Sequence, residues 1–193
     1  VSLSIIILAA FQLALARWSG GDDIVTAVNA ADRASARFRD TVGYLMASIP
    51  VRTRFAHTDS VKALLAAVAK AFYDGYGHRE LSYDLYDAIF APPQPFCPVL
   101  FNFIPLLEKV SPAYGQAGTP ALECTIAGPD VQRVRVHREI YLCVVELPHA
   151  LTGKIYFNRD FFEAQTIDAL VARFQAILRG IAANPDGTLG EIR

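Results

Sequence analysis

The sequence predicts an α/β fold, a mixed β-sheet flanked by helices. Two patterns carry that expectation. Segments with apolar residues at helical spacing alternate with short runs rich in β-branched residues. The connections between those runs are of two lengths, some suited to a crossover and others to a hairpin, so parallel and antiparallel pairing are both expected. At 193 residues the chain is long enough for one well-buried domain, or for half of something larger.

Residues 1–16 are almost wholly apolar, interrupted by Ser2, Ser4 and Gln12, and Arg17-Trp18-Ser19-Gly20-Gly21 closes the run as a helix end would. Ala14-Leu15-Ala16 mimics a signal-peptide cleavage site. No basic stretch precedes the run, however, and it is shorter than the ~20 residues of a membrane span. A buried helix is therefore expected. The chain does not begin with methionine, which leads us to expect that it starts inside a longer polypeptide.

Asp22-Asp23 leads into a buried strand at 24–28, and residues 29–40 read as a polar connection of small residues. Residues 49–55 alternate, with Val51, Thr53 and Phe55 on one face and Pro50, Arg52 and Arg54 on the other, the pattern of a half-exposed strand. Asp59-Ser60 then caps a helix with Val61, Leu64, Leu65, Val68 and Phe72 on one stripe. A shorter helix at 81–90 is stopped by Ala91-Pro92-Pro93-Gln94-Pro95, because proline lacks the amide hydrogen.

A buried strand follows at 99–103, then a loop over 105–120 rich in glycine, proline and alanine. Three further strands are expected at 131–137, 140–147 and 154–158. The last helix runs over 163–183 with Ile167, Leu170, Val171, Phe174, Leu178 and Ile181 on one stripe, and Asn184-Pro185-Asp186-Gly187 ends it.

Lysine plus arginine total 18 and aspartate plus glutamate 19, for a net charge of −1. Nucleic acid is not an expected partner, since its backbone selects a basic surplus. Hydrophobic residues make up 53%, charged residues only 19%, and mean hydropathy is +0.28. Typical chains carry roughly 25% charged residues, so disorder is excluded. The apolar excess suggests instead a surface covered by a partner or a neighbouring lobe. Cys97, Cys124 and Cys143 are widely spaced with no C-x-x-C pair. They read as apolar filler in a reducing, cytoplasmic compartment, with no metal site and no membrane partner.

No spacing among the residues names a reaction. His57 and His149 lie beside turn residues, His137 falls on the polar face of an alternating strand, and none belongs to a metal-ligand pair or a nucleophile elbow. His78, between Tyr76-Gly77 and Glu80, reads as a capping or supporting residue. Asp22-Asp23 suits a strand entry. Arg133, Arg135 and Arg138 suit a solvated strand face.

Several blocks in order resemble the C-terminal half of a condensation domain of a nonribosomal peptide synthetase, in the chloramphenicol acetyltransferase-like superfamily. Residues 8–25 resemble the family's helix, glycine turn and strand entry. Val42-Gly43-Tyr44-Leu45-Met46-Ala47-Ser48-Ile49-Pro50-Val51-Arg52 is similar to the pattern V-G-x-F-V-N-T-L-P-L-R. His78-Arg79-Glu80-Leu81-Ser82-Tyr83-Asp84 resembles H-Q-D-x-P-F-E, Val99-Leu100-Phe101-Asn102-Phe103 a following strand, and residues 155–186 the closing strand and helix. The departures are Ala47 and Ser48 in place of asparagine and threonine, and Pro92-Pro93-Gln94-Pro95-Phe96-Cys97-Pro98 in place of R-D-x-S-R-N-P-L. The family's H-H-x-x-x-D-G signature is absent from this sequence.

The resemblance implies one lobe, residues 1–193, of a two-lobed acyltransferase whose catalytic histidine belongs to an N-terminal lobe. It implies amide formation between a thioester donor and an amine acceptor, both delivered on the phosphopantetheine arms of peptidyl or acyl carrier proteins, with no cofactor bound directly. The expected partners are that N-terminal lobe and the carrier proteins. Tyr44, Ala47, Ser48 and Asn102 are expected to line the substrate tunnel, and Arg33, Gly43, Arg52 and His78 to hold structure. Two alternatives stay open, a non-catalytic module that docks carrier proteins and a relative that acylates alcohols.

Overall fold

The computed structural model describes residues 1–31, 41–43, 45–80, 89, 97–106 and 138–192. Its five-stranded sheet has the order β2-β1-β3-β4-β5. The strands are β1 (Asp23–Ala31), β2 (Met46–Arg54), β3 (Val99–Ile104), β4 (Ile140–Glu146) and β5 (Leu151–Phe157), and the helices are α1 (Leu3–Ser19), α2 (Val61–Gly77) and α3 (Ala164–Ala183). β1 is antiparallel to β2 and parallel to β3, β3 is parallel to β4, and β4 is antiparallel to β5. The sheet is mixed, as expected. The helix expected at 81–90 and the strand at 131–137 lie outside the described residues.

Helix α1 is the centre of the core. Every residue from 7 to 16 is buried, so the helix is covered on all sides rather than along one stripe. Phe11 shows why. Its ring meets Phe101 of β3 at 6.4 Å between centroids and Phe174 of α3 edge-on at 5.8 Å, joining sheet and outer helix through one side chain. The helix ends where the sequence indicates. Gly20 takes the left-handed conformation, φ 75°, and its N–H bonds Ala16 O, a geometry only glycine adopts without strain.

Helices α2 and α3 flank α1. The Ser60 side chain accepts from the Ala63 amide at 3.1 Å, fixing the start of α2 as expected. Ile167, Leu170, Phe174, Ile177 and Ile181 are the buried face of α3. All three helices pack on the sheet face that carries Thr26, Val28, Ile49, Val51, Phe101, Leu142 and Val144.

Two boundaries differ from expectation. Residues 29–31, read as connection, continue β1, and β2 begins at Met46 rather than 49, because the two strands form a continuous ladder from Asp23↔Arg54 to Ala31↔Met46. Backbone pairing here extends beyond the β-branched residues that flag it in sequence. For the same reason β5 begins at Leu151, opposite Glu146. Arg52 and Arg54 are exposed, and both grip Asp23 at the start of β1, with Arg52 bidentate at 2.6 and 2.8 Å and Arg54 at 2.8 Å. These bonds hold the Asp23 carboxyl far below the usual carboxylate range.

Candidate functional site

Strands β1, β3 and β4 run in the same direction, and their carboxyl ends meet the first turn of α1. From β1 the chain passes to β2 on one side, while β3 takes the other side. The region beyond the carboxyl ends of the parallel strands is the usual ligand position in open α/β sheets. A cavity of about 390 Å³ occupies it. Ile5 and Leu8 of α1, Phe72 of α2 and Phe101 and Phe103 of β3 give it an apolar wall, and Asn29 and Glu146 supply polar groups from β1 and β4.

Ser48 is held by Asn29 on the sheet face turned away from the three helices. The two residues are direct partners across β1 and β2, and Ser48 Oγ donates to Asn29 Oδ1 at 2.9 Å. Ala47, next in sequence, is paired with Ala30 and points to the opposite face, because side chains alternate along a strand. Ser48 and Asn102 share the face turned away from the three helices. Asn102 is directed elsewhere, its amide donating to the Tyr141 hydroxyl at 3.3 Å. Tyr141 stacks on Tyr156 at 5.5 Å, and burial raises its pKa above the ordinary phenol value.

The other sequence-derived positions are dispersed. Tyr44 and Arg33 lie outside the described residues. Gly43 is exposed, and a Cβ placed there would meet nothing within 4 Å. Arg52 serves Asp23 at the far end of the ladder. His78 is the C-cap of α2 with an exposed side chain. His57 and His149 are exposed. Arg138 donates to Cys97 O at 2.6 Å. Cys97 is buried and Cys143 half-buried. No described helix is long and apolar enough to cross a membrane.

Sequence reading missed Asn29 and Glu146. Asn29 follows Val25 and Ala27 in the period-2 register, with no turn residue before Asp32, and that continuation is its signal. Glu146 carries none, since only the end of β4 brings it to the crevice.

The profile of the Condensation domain family matches residues 1–193, the whole sequence. The chain belongs to the condensation domain family. A linear gramicidin synthase of Brevibacillus parabrevis is 26% identical over 191 residues, covering 97% of this chain and 4% of its own length. The first condensation domain of the CDA synthetase superposes with a TM-score of 0.76 at 18% identity, over 100% of this chain and 42% of that one. The X-domain from teicoplanin biosynthesis, solved in complex with OxyB, gives 0.77 at 17% identity over 100% and 42%. The chain thus spans a small part of a synthetase polypeptide and under half of each of these solved condensation-fold chains.

Proposed function

We propose that this chain is the C-terminal lobe of a condensation domain that forms peptide bonds in nonribosomal synthesis. The family match over the full 193 residues, against 42% of a solved condensation domain, carries the reading. In the reaction the acceptor amine attacks the carbonyl carbon of a donor thioester. The C–N bond forms, the C–S bond breaks, and the proton lost by the amine ends on the released pantetheine thiol. The lobe's share is to hold two carrier-borne reactants in attack geometry, with proton transfer assigned to the histidine signature of the other lobe.

Ser48, with Asn29 fixing its hydroxyl, and Asn102 are the tunnel-wall groups of this reading, with Tyr44 and Ala47 beside them in the motif. The partners are the N-terminal lobe and the carrier proteins, whose phosphopantetheine arms bring the substrates. Alanine at Ser48 and at Asn102 in the full-length protein is expected to slow peptide-bond formation, and unchanged turnover in both variants overturns the tunnel assignment.

A second reading is favoured by Ala47, which removes the amide of the family motif, and by the likeness to an X-domain solved with OxyB. In that reading the chain docks a carrier or enzyme without catalysis. Carrier binding without acyl transfer, when a lobe bearing H-H-x-x-x-D-G is supplied, selects it over the first.

A further inference from the structure

On the sheet face turned away from the helices, polar side chains form one row across all five strands. Ser48 of β2 is the register partner of Asn29 of β1, Asn102 of β3 that of Cys143 of β4, and Cys143 that of Lys154 of β5. Asn29 and Asn102 each lie one position past the parallel pair Val28↔Phe101, which makes them neighbours in the row. The flanking rows are apolar near its centre. One holds Pro50, Ala27 and Leu100, the other Met46, Ile104 and Val145. Asn29 and Asn102 are both half-buried.

Each of these two carboxamides is bonded only toward its outer neighbour. Asn29 Oδ1 accepts from Ser48 Oγ at 2.9 Å, and Asn102 Nδ2 donates to Tyr141 Oη at 3.3 Å. The oxygen and nitrogen of a carboxamide diverge, so Asn29 Nδ2 and Asn102 Oδ1 are left on the inner side, between β1 and β3. Among the described residues neither atom has a hydrogen-bond partner. One is a donor and the other an acceptor, and their joint complement is a group with both a carbonyl oxygen and an N–H.

We propose that the Asn29–Asn102 pair binds a secondary amide of a pantetheine arm, whose carbonyl accepts from Asn29 Nδ2 and whose N–H donates to Asn102 Oδ1. The apolar rows decide what flanks that amide. Rows on one face are two residues apart, about 6.6 Å along a strand, whereas an extended peptide carries an amide about every 3.3 Å. A peptide would therefore lay further amides on Leu100 and Ile104, which offer no side-chain partner. An amide with two methylene groups on each side fits the three rows, and the β-alanyl-cysteamine end of pantetheine has that structure. The proposal rests on the condensation reading for delivery of the arm. It adds Asn29 as a ligand residue and names the bond that is recognised.

The test titrates small probes against the full-length protein and reads them by saturation-transfer NMR. D-pantetheine and N-propylbutanamide carry the amide between alkyl segments. Propyl butanoate has the same length with an ester in place of the amide, and N-acetylglycine N-methylamide presents peptide spacing. Both alkyl amides are expected to bind, and the ester about tenfold more weakly, because it lacks the N–H. The peptide probe is expected to bind more weakly than N-propylbutanamide. Asn29→Asp keeps the oxygen that accepts from Ser48 and replaces the free donor with an acceptor. It is expected to weaken both alkyl amides by about the same factor with an unchanged unfolding midpoint.

Equal binding of amide and ester, undiminished binding in Asn29→Asp, or tighter binding of the peptide probe overturns the proposal. Peptide-bond formation by the full-length protein separates it from the reading on which it rests. Bond formation without a preference for the amide overturns the Asn29–Asn102 site alone. A preference that Asn29→Asp abolishes, in a protein that forms no peptide bond, supports the amide site and overturns the condensation reading.

Discussion

Ser48 on β2 and Asn29 on β1 face each other as register partners, and the Ser48 hydroxyl donates to the Asn29 carbonyl oxygen at 2.9 Å. Asn29 also lines the cavity at the strand ends. The bond itself lies on the sheet face turned away from the helices, and it ties the motif residue of the edge strand to the neighbouring strand. A threonine at position 48 keeps the hydroxyl, so the family's threonine and this chain's serine are equivalent in this bond.

That bond gives a double-mutant prediction. A side-chain hydrogen bond contributes about 0.5–1.5 kcal/mol net. Ser48→Ala and Asn29→Ala are each expected to lower unfolding stability by about that amount, and the double variant to lose less than the sum. Urea unfolding of the four proteins measures the coupling, and strictly additive losses contradict the bond.

Thr53 is 2% exposed on β2, and its hydroxyl has no hydrogen-bond partner among the described residues. Thr53→Val keeps the branched shape and the strand preference while removing a buried polar group. A gain of about 1–2 kcal/mol is expected, read as a higher urea midpoint at unchanged slope. A loss of stability would show that the hydroxyl is satisfied.

Gly180 lies in the last turns of α3, where an added Cβ would sit 2.7 Å from Ile192 Cγ2. That methyl group is bonded directly to the Ile192 Cβ, so it yields only if the backbone or rotamer shifts. Alanine in a helix interior is favoured over glycine by about 1 kcal/mol. Gly180→Ala is nonetheless expected to destabilise the native chain, and to become stabilising in an Ile192→Ala background. A gain in both backgrounds refutes the contact.

The Asp23 cluster sets an acid dependence. Its folded-state pKa is depressed by the hydrogen bonds from Arg52 and Arg54. The group therefore stabilises the fold above its unfolded pKa of about 3.9, and the contribution fades as pH falls below that value. The stability difference between the native chain and Asp23→Asn is expected to stay constant from pH 7 to about 5 and to shrink toward pH 2. Because the carboxylate is solvent-accessible, added salt should reduce it as well. A difference independent of pH refutes the charge origin.

The helices, their caps and the mixed sheet are legible in the amino-acid sequence alone. Apolar spacing, Ser60 and Gly20 act within a few residues of one another, and such local rules survive any tertiary arrangement. The family is legible there too, because the order of blocks from Val42 to Arg52 and on to the closing helix is a property of the chain. The extension of β1 to Ala31 belongs to the assembled sheet, since the partner strand supplies the hydrogen bonds that small residues do not announce. The same assembly separates Ala47 from Ser48 onto opposite faces, turns Asn102 toward Tyr141 and brings Glu146 to the crevice. Those are consequences of register and strand direction, in which residues more than a hundred positions apart become neighbours.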